Sequence, residues 1–133
     1  MGMSMLSIAV TLFLIAAVGG LTMAIFIFKN RFPPFFLIAF HGFFGLGALG
    51  LAIWSTGVPG TPSIVVYGIV AVLLAAVGGV FLISFQFRDE RQPKIVVVLH
   101  ALAAVSGVTC LFVGLVHMSR FARPVQWFTW VSH

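Results

Sequence analysis

Two histidines lie inside uncharged, apolar stretches of this chain, and their placement is that of metal ligands. His41, in FFLIAFHGFFGLGALGLAIW (residues 35–54), follows Pro34 by seven residues, and His100 follows Pro93 by seven. At about 1.5 Å per helical residue, each imidazole sits ~10 Å along a helix that begins near its proline. Two imidazoles at one depth form an axial pair for a single metal. A lone intramembrane histidine serves equally well as a hydrogen-bond donor between helices. The duplication favours the ligand pair, because interhelical bonding does not require two histidines at matching depth.

The matched depth comes from an internal repeat. Shifting the sequence by 59 residues aligns IAAVGG (15–20) with LAAVGG (74–79), Phe26 with Phe85, Phe28 with Phe87, Lys29 with Arg88, Pro34 with Pro93 and His41 with His100. The register does not slip, so the chain holds two copies of one helix-loop-helix unit. A unit of two spans inserts both copies in the same orientation, related by an approximate two-fold axis along the membrane normal. Equivalent residues then share a depth. If the second helix of each unit faces the axis, the two imidazoles meet across the interior.

The elements that must position them follow from charge. Of the 133 residues, 62% are hydrophobic and 7% charged, far below the roughly 25% charged of a soluble domain. The charges fall in three places: Lys29 and Arg31; Arg88, Asp89, Glu90, Arg91 and Lys94; Arg120 and Arg123. A hydrocarbon core takes about 20 helical residues. The uncharged runs therefore supply four spans, at about 4–28, 34–54, 64–87 and 95–118, with STGVPGTPS (55–63) breaking the long central run. The expected fold is all-α, an integral membrane four-helix bundle of two tandem helix-loop-helix repeats occupying the whole of 1–133 as one domain. The first segment lacks a basic n-region and is too long for a signal-peptide core, so it reads as a helix.

Five Lys or Arg flank the connections after the first and third spans, against two at the other end. The positive-inside rule makes those connections cytoplasmic and places both termini on the non-cytoplasmic side, in a membrane read as the bacterial inner membrane. Residues 119–133 read as an interfacial tail, with Trp127, Phe128 and Trp130 at the opposite surface. The net charge of +5 is topological and implies no nucleic acid.

Residues at i+4, i+7, i+11 and i+14 share a helix face. After His41 these are Gly45, Ala48, Ala52 and Ser55; after His100 they are Ala104, Gly107, Leu111 and Gly114. Two explanations of this small-residue stripe compete. Small side chains let membrane helices approach closely, or they make room for a flat macrocycle, flanked by Gly45, Ala48, Ala104 and Gly107, whose iron His41 and His100 hold axially. A zinc or copper site would be short of ligands, since the spans hold no carboxylate and no second cysteine. At the end nearest the histidines, Arg31 and Arg91, with Lys29, Arg88 and Lys94, suit anionic propionates; topology signalling alone accounts for them equally well.

This pattern resembles the membrane-embedded b-type cytochromes, four-helix bundles with histidines on facing helices, glycine-rich stretches at the macrocycle and basic residues near one surface. The resemblance lies in architecture and the His41–His100 pair and points to no named family. It implies haem b, electron transfer with quinone or a redox protein as partner, and a closed six-coordinate iron. Respiratory cytochrome b subunits often carry a second histidine about four turns further along each ligand helix. Ser55 and Gly114 stand there in this chain, so one haem is expected.

The remaining polar residues carry less. His117 has Val58 as its counterpart and reads as an interfacial histidine, with a quinone or second-metal site as the sharper alternative. Met23 matches Leu82 and reads as a packing residue before an axial ligand. The pairs Gly19-Gly20 and Gly78-Gly79 read most simply as helix-crossing points, with room for the edge of a ring as the alternative, Cys110 reads as a small packing residue, and Tyr67 and Gln86 have no assignable partner. With no carboxylate in a span, acid-base catalysis and cation-coupled export are both poorly supported. The chain reads as an electron-transfer protein more than a catalyst. The alternative is a non-redox accessory subunit or small transporter with intramembrane histidines, and haem sensing or trafficking is a third reading. Lipid is a partner in every case, and homo-oligomers remain compatible with all of them.

Overall fold

A computed structural model describes residues 2–121, and the tail residues Trp127, Phe128, Trp130 and His133 lie outside that range. Among the described residues the chain forms four helices, α1 (Gly2–Phe28), α2 (Phe35–Ser55), α3 (Ser63–Phe87) and α4 (Lys94–Phe121). All four are long and apolar enough to cross a membrane, and no strand is present among the described residues. The chain is thus an all-helical, membrane-type four-helix bundle. Exposed Phe43 and Trp54, each at 75%, are side chains that a lipid environment accepts and water would not.

Proline sets the helix starts. Pro34 and Pro62 stand at the N-caps of α2 and α3 with φ of −59° and −62° and extended ψ of 138° and 141°, the non-helical geometry of a residue that precedes the first helical turn. The two charged connections close α1 and α3 in the same manner. Asn30 and Asp89, 59 residues apart, adopt positive φ of 56° and 55°. The Arg31 and Glu90 amides reach back to the Phe26 and Phe85 carbonyls, each at 2.9 Å, and Asn30 and Asp89 donate to Ile27 and Gln86. This is the double-bonded Schellman closure, with Asn and Asp in the left-handed position that glycine usually takes.

Packing repeats with the same period. α1 lies against α2 and α3 against α4, and the hairpins join mainly along α1 and α4. Buried Leu6, Val10, Phe13 and Ala16 have the buried counterparts Val65, Ile69, Val72 and Ala75. The equivalent residues Ala48 and Gly107 are also both buried. Apart from Ala16 and Ala75, which reach the level of the histidines, these residues gather in the half of the bundle remote from the charged connections. In the half that carries the histidines, burial is sparse, with Val97 the buried apolar side chain on α4.

The tightest crossing is between α3 and α4. A Cβ at Gly107 would stand 2.8 Å from the Gly68 carbonyl oxygen and 3.0 Å from the Val72 nitrogen, and one at Gly68 would stand 2.9 Å from the Gly107 carbonyl. Backbone cannot yield as a flexible side chain does, so Gly107→Ala is expected to cost about 1–3 kcal/mol. A detergent-solubilised thermal melt reads this directly, and an unchanged midpoint would contradict so close a crossing.

Candidate functional site

His41 is on α2 and His100 on α4, on different hairpins, yet their ring centroids are 6.1 Å apart with the planes at 67°. The expectation that both imidazoles face the axis holds. Each ring is fixed by the other helix of its own hairpin. His41 Nδ1 is 2.8 Å from the Ala16 carbonyl oxygen on α1, and His100 Nδ1 is 2.7 Å from that of Ala75 on α3. A carbonyl oxygen only accepts, so each Nδ1 carries the proton and donates it. The proton is thereby assigned to Nδ1, and Nε2 keeps a lone pair in the neutral ring. Among the described residues, neither Nε2 makes a hydrogen bond.

Glycine makes the seats. A Cβ at Gly20 would lie 3.0 Å from His41 Cε1 and 3.2 Å from Nδ1, and one at Gly79 would lie 3.2 Å from His100 Cε1. Gly19 and Gly78 back the same rings at the His41 and His100 Cβ atoms, both 3.6 Å from the position of an added Cβ. The repeated AAVGG is therefore the imidazole seat: the first alanine supplies the acceptor and the glycines the floor. The sequence gives these glycines two readings, a helix crossing or room for the edge of a ring, and does not single out the partners Ala16 and Ala75. The available signal was the constant separation of 25 residues from each alanine to its histidine.

The small-residue stripe divides between two tasks. Gly45, one turn from His41, has no atom within 4 Å of an added Cβ; its counterpart Ala104, one turn from His100, is half-buried. Ala48 belongs to the core cluster, and Gly107 is occupied by the crossing with Gly68 and Val72. A seven-residue step from each histidine is thus taken up by helix packing. Leu111 is completely buried.

Two identical metal ligands on opposite sides of one ion need nitrogens about 2 Å from it, which puts their ring centres about 6 Å apart. The observed 6.1 Å meets this. The backbone acceptor on the far nitrogen is the arrangement that orients most ligating histidines and raises their basicity. No group of three or more His, Cys, Asp or Glu able to hold a metal occurs among the described residues. The donor set is two imidazoles, which suits a metal whose other ligands come with a macrocycle.

Arg31 and Arg91 meet at one cleft between the charged connections, together with Ile27, Asn30, Phe32, Gln92 and Lys94. Gln86, without an assignable partner in the sequence, donates to the Pro33 carbonyl at 3.4 Å and accepts from Gln92 at 3.1 Å, tying the two connections together. His117 is exposed and Met23 half-buried. Compared with known proteins, the chain matches no family model, no curated protein and no solved structure.

Proposed function

We propose that the chain is a small integral b-type cytochrome in which His41 and His100 hold one haem b between α2 and α4. The observation that carries this reading is the pair of imidazoles from different hairpins, 6.1 Å apart, each with Nδ1 committed to a backbone carbonyl and Nε2 left for a metal. Haem would supply a one-electron couple. The residues do the rest: the carbonyls of Ala16 and Ala75 hold the tautomer, Gly20 and Gly79 admit the rings, Gly45 leaves open space one turn from His41, and Ala104 would present a small side chain at the equivalent position. Arg31 and Arg91 stand at the end nearest the histidines, where positive charge favours propionates. A quinone or a redox protein is the partner class that suits electron transfer at that depth. The positive-inside rule puts the histidine end at the cytoplasmic face of a bacterial inner membrane and both termini opposite.

The carbonyl bonds also favour a second reading, in which the histidines merely tie each hairpin together in a non-redox accessory subunit or transporter. Absorption separates the two. Purified protein is expected to take up one haem per chain, to show a sharp reduced α band, and to bind no carbon monoxide, since His41 and His100 would both be held by the metal. A protein that stays colourless through reconstitution with haem removes the cytochrome reading.

A further inference from the structure

The cleft at the charged end departs from the repeat, and that departure has a ligand chemistry. Its lining joins Ile27, Asn30, Arg31 and Phe32 from the end of α1 to Arg91, Gln92 and Lys94 at the start of α4. Three cations converge and no carboxylate lines it. At the two-fold-related positions Asn30 and Arg31 become Asp89 and Glu90, Gln92 becomes Pro33, and Lys94 becomes Phe35. The counterparts of Asn30 and Arg31 are thus the chain's two acidic residues, which do not line the cleft; Glu90 pairs with Arg88 at 3.3 Å. Topology signalling depends on how many Lys and Arg a connection carries. It does not decide which of two equivalent positions takes a cation and which a carboxylate, so the gathering of cations without a carboxylate at this cleft calls for another cause.

The cleft is also held in shape. Gln92 is 8% exposed, a level unusual for a glutamine in a loop, and is pinned through Gln86 to Pro33. Lys94 Nζ donates to the Phe28 carbonyl at 3.4 Å and lies 5.9 Å from the centre of the Phe28 ring. This leaves the guanidinium groups of Arg31 and Arg91, both exposed and without a carboxylate partner among the described residues. The cleft measures about 20 Å³, enough for one water-sized group such as a phosphate oxygen, with the remainder of a headgroup outside. It lies at the helix ends, where lipid headgroups sit, and opens at the boundary of α1 and α4.

We propose that this cleft is a specific site for the phosphate of an anionic membrane lipid, held by Arg31 and Arg91 with Lys94 behind them. Basic clefts between spanning helices on the positive side of a membrane recognise such headgroups, at about a fivefold change in affinity for each cation. The proposal does not need the haem, and it gives Arg31 and Arg91 a ligand other than the propionates, so the test separates the two.

The test uses the full chain in nanodiscs of phosphatidylcholine containing a minor fraction of spin-labelled phosphatidylglycerol, reading the motionally restricted lipid. Arg31→Gln with Arg91→Gln is expected to reduce the preference for phosphatidylglycerol roughly 25-fold. Lys29→Gln with Arg88→Gln removes the same charge from the same connections outside the cleft and is expected to leave most of the preference. Equal losses in the two pairs would reduce the effect to a diffuse positive field and overturn the site. Displacement of the labelled lipid by millimolar inorganic phosphate would identify a free-anion site instead. Loss of bound haem from the Arg31/Arg91 pair, with lipid preference intact, would reassign these arginines to the propionates. Circular dichroism of both pairs checks that the bundle is retained.

Discussion

His41→Ala and His100→Ala are each expected to abolish tight haem binding while leaving the bundle folded. The two consequences differ in size because different interactions are lost. Each substitution removes one hydrogen bond to a carbonyl, to Ala16 or to Ala75, and side-chain hydrogen bonds between membrane helices average about 0.6 kcal/mol. The hairpin interfaces, built from Leu6, Val10 and Phe13 and their counterparts at the opposite end of the bundle, are untouched. The melting midpoint should therefore move by a few degrees at most. Cofactor retention should collapse, because one of two protein ligands is gone and the position it held is open. Millimolar imidazole should restore much of the low-spin spectrum in either variant by occupying the space the side chain left. The outcome that would sink the cytochrome reading is the reverse pattern: wild-type protein without haem and a large stability loss in both variants, as expected of purely structural histidines.

The parts of this molecule that were legible in the sequence are those written in side-chain types. Proline and the clustered charges mark where spans begin and end, and an uninterrupted 59-residue offset puts His41 and His100 at one depth. The partners of those histidines are backbone carbonyls, which have no sequence signature, so Ala16 and Ala75 emerge only from the folded chain. Small residues were ambiguous for a physical reason. Glycine can permit a helix crossing, as Gly107 does against Gly68, or seat a ring, as Gly20 does under His41, or leave space, as at Gly45. Periodicity places all three on a helix face without saying what opposes them. The Gln86–Gln92 tie was hidden because Ile27 and Pro33 occupy the corresponding positions, so the repeat gave no second copy to compare.

The seats themselves make the sharper prediction. Replacing Gly20 with leucine is expected to weaken haem binding about 10- to 100-fold, the range typical when a group that orients a metal ligand is lost. An added Cβ at this position already stands 3.0 Å from His41 Cε1, and a further branched carbon has nowhere to go except through the imidazole. The ring must swing off the Ala16 carbonyl, which frees its tautomer and changes its plane. Gly79→Leu should act likewise on His100, somewhat less, since its seat is looser at 3.2 Å. A loss of affinity alone would not separate a displaced ligand from a loosened bundle, so the readout must report the ring. Low-spin ferric iron is sensitive to the angle between its axial imidazole planes, because planes far from parallel keep the two metal orbitals of π symmetry close in energy. The 67° between the rings is expected to give a strongly anisotropic electron paramagnetic resonance signal in the wild type, and turning either ring should shift its largest g value. The matched control is Gly50→Leu on the outer face of α2, where an added Cβ meets no atom within 4 Å. A g tensor that responds to leucine at 20 and 79 and ignores it at 50 ties the repeated AAVGG to the orientation of the ligands. A g tensor indifferent to all three would leave the glycine seats with a packing role alone.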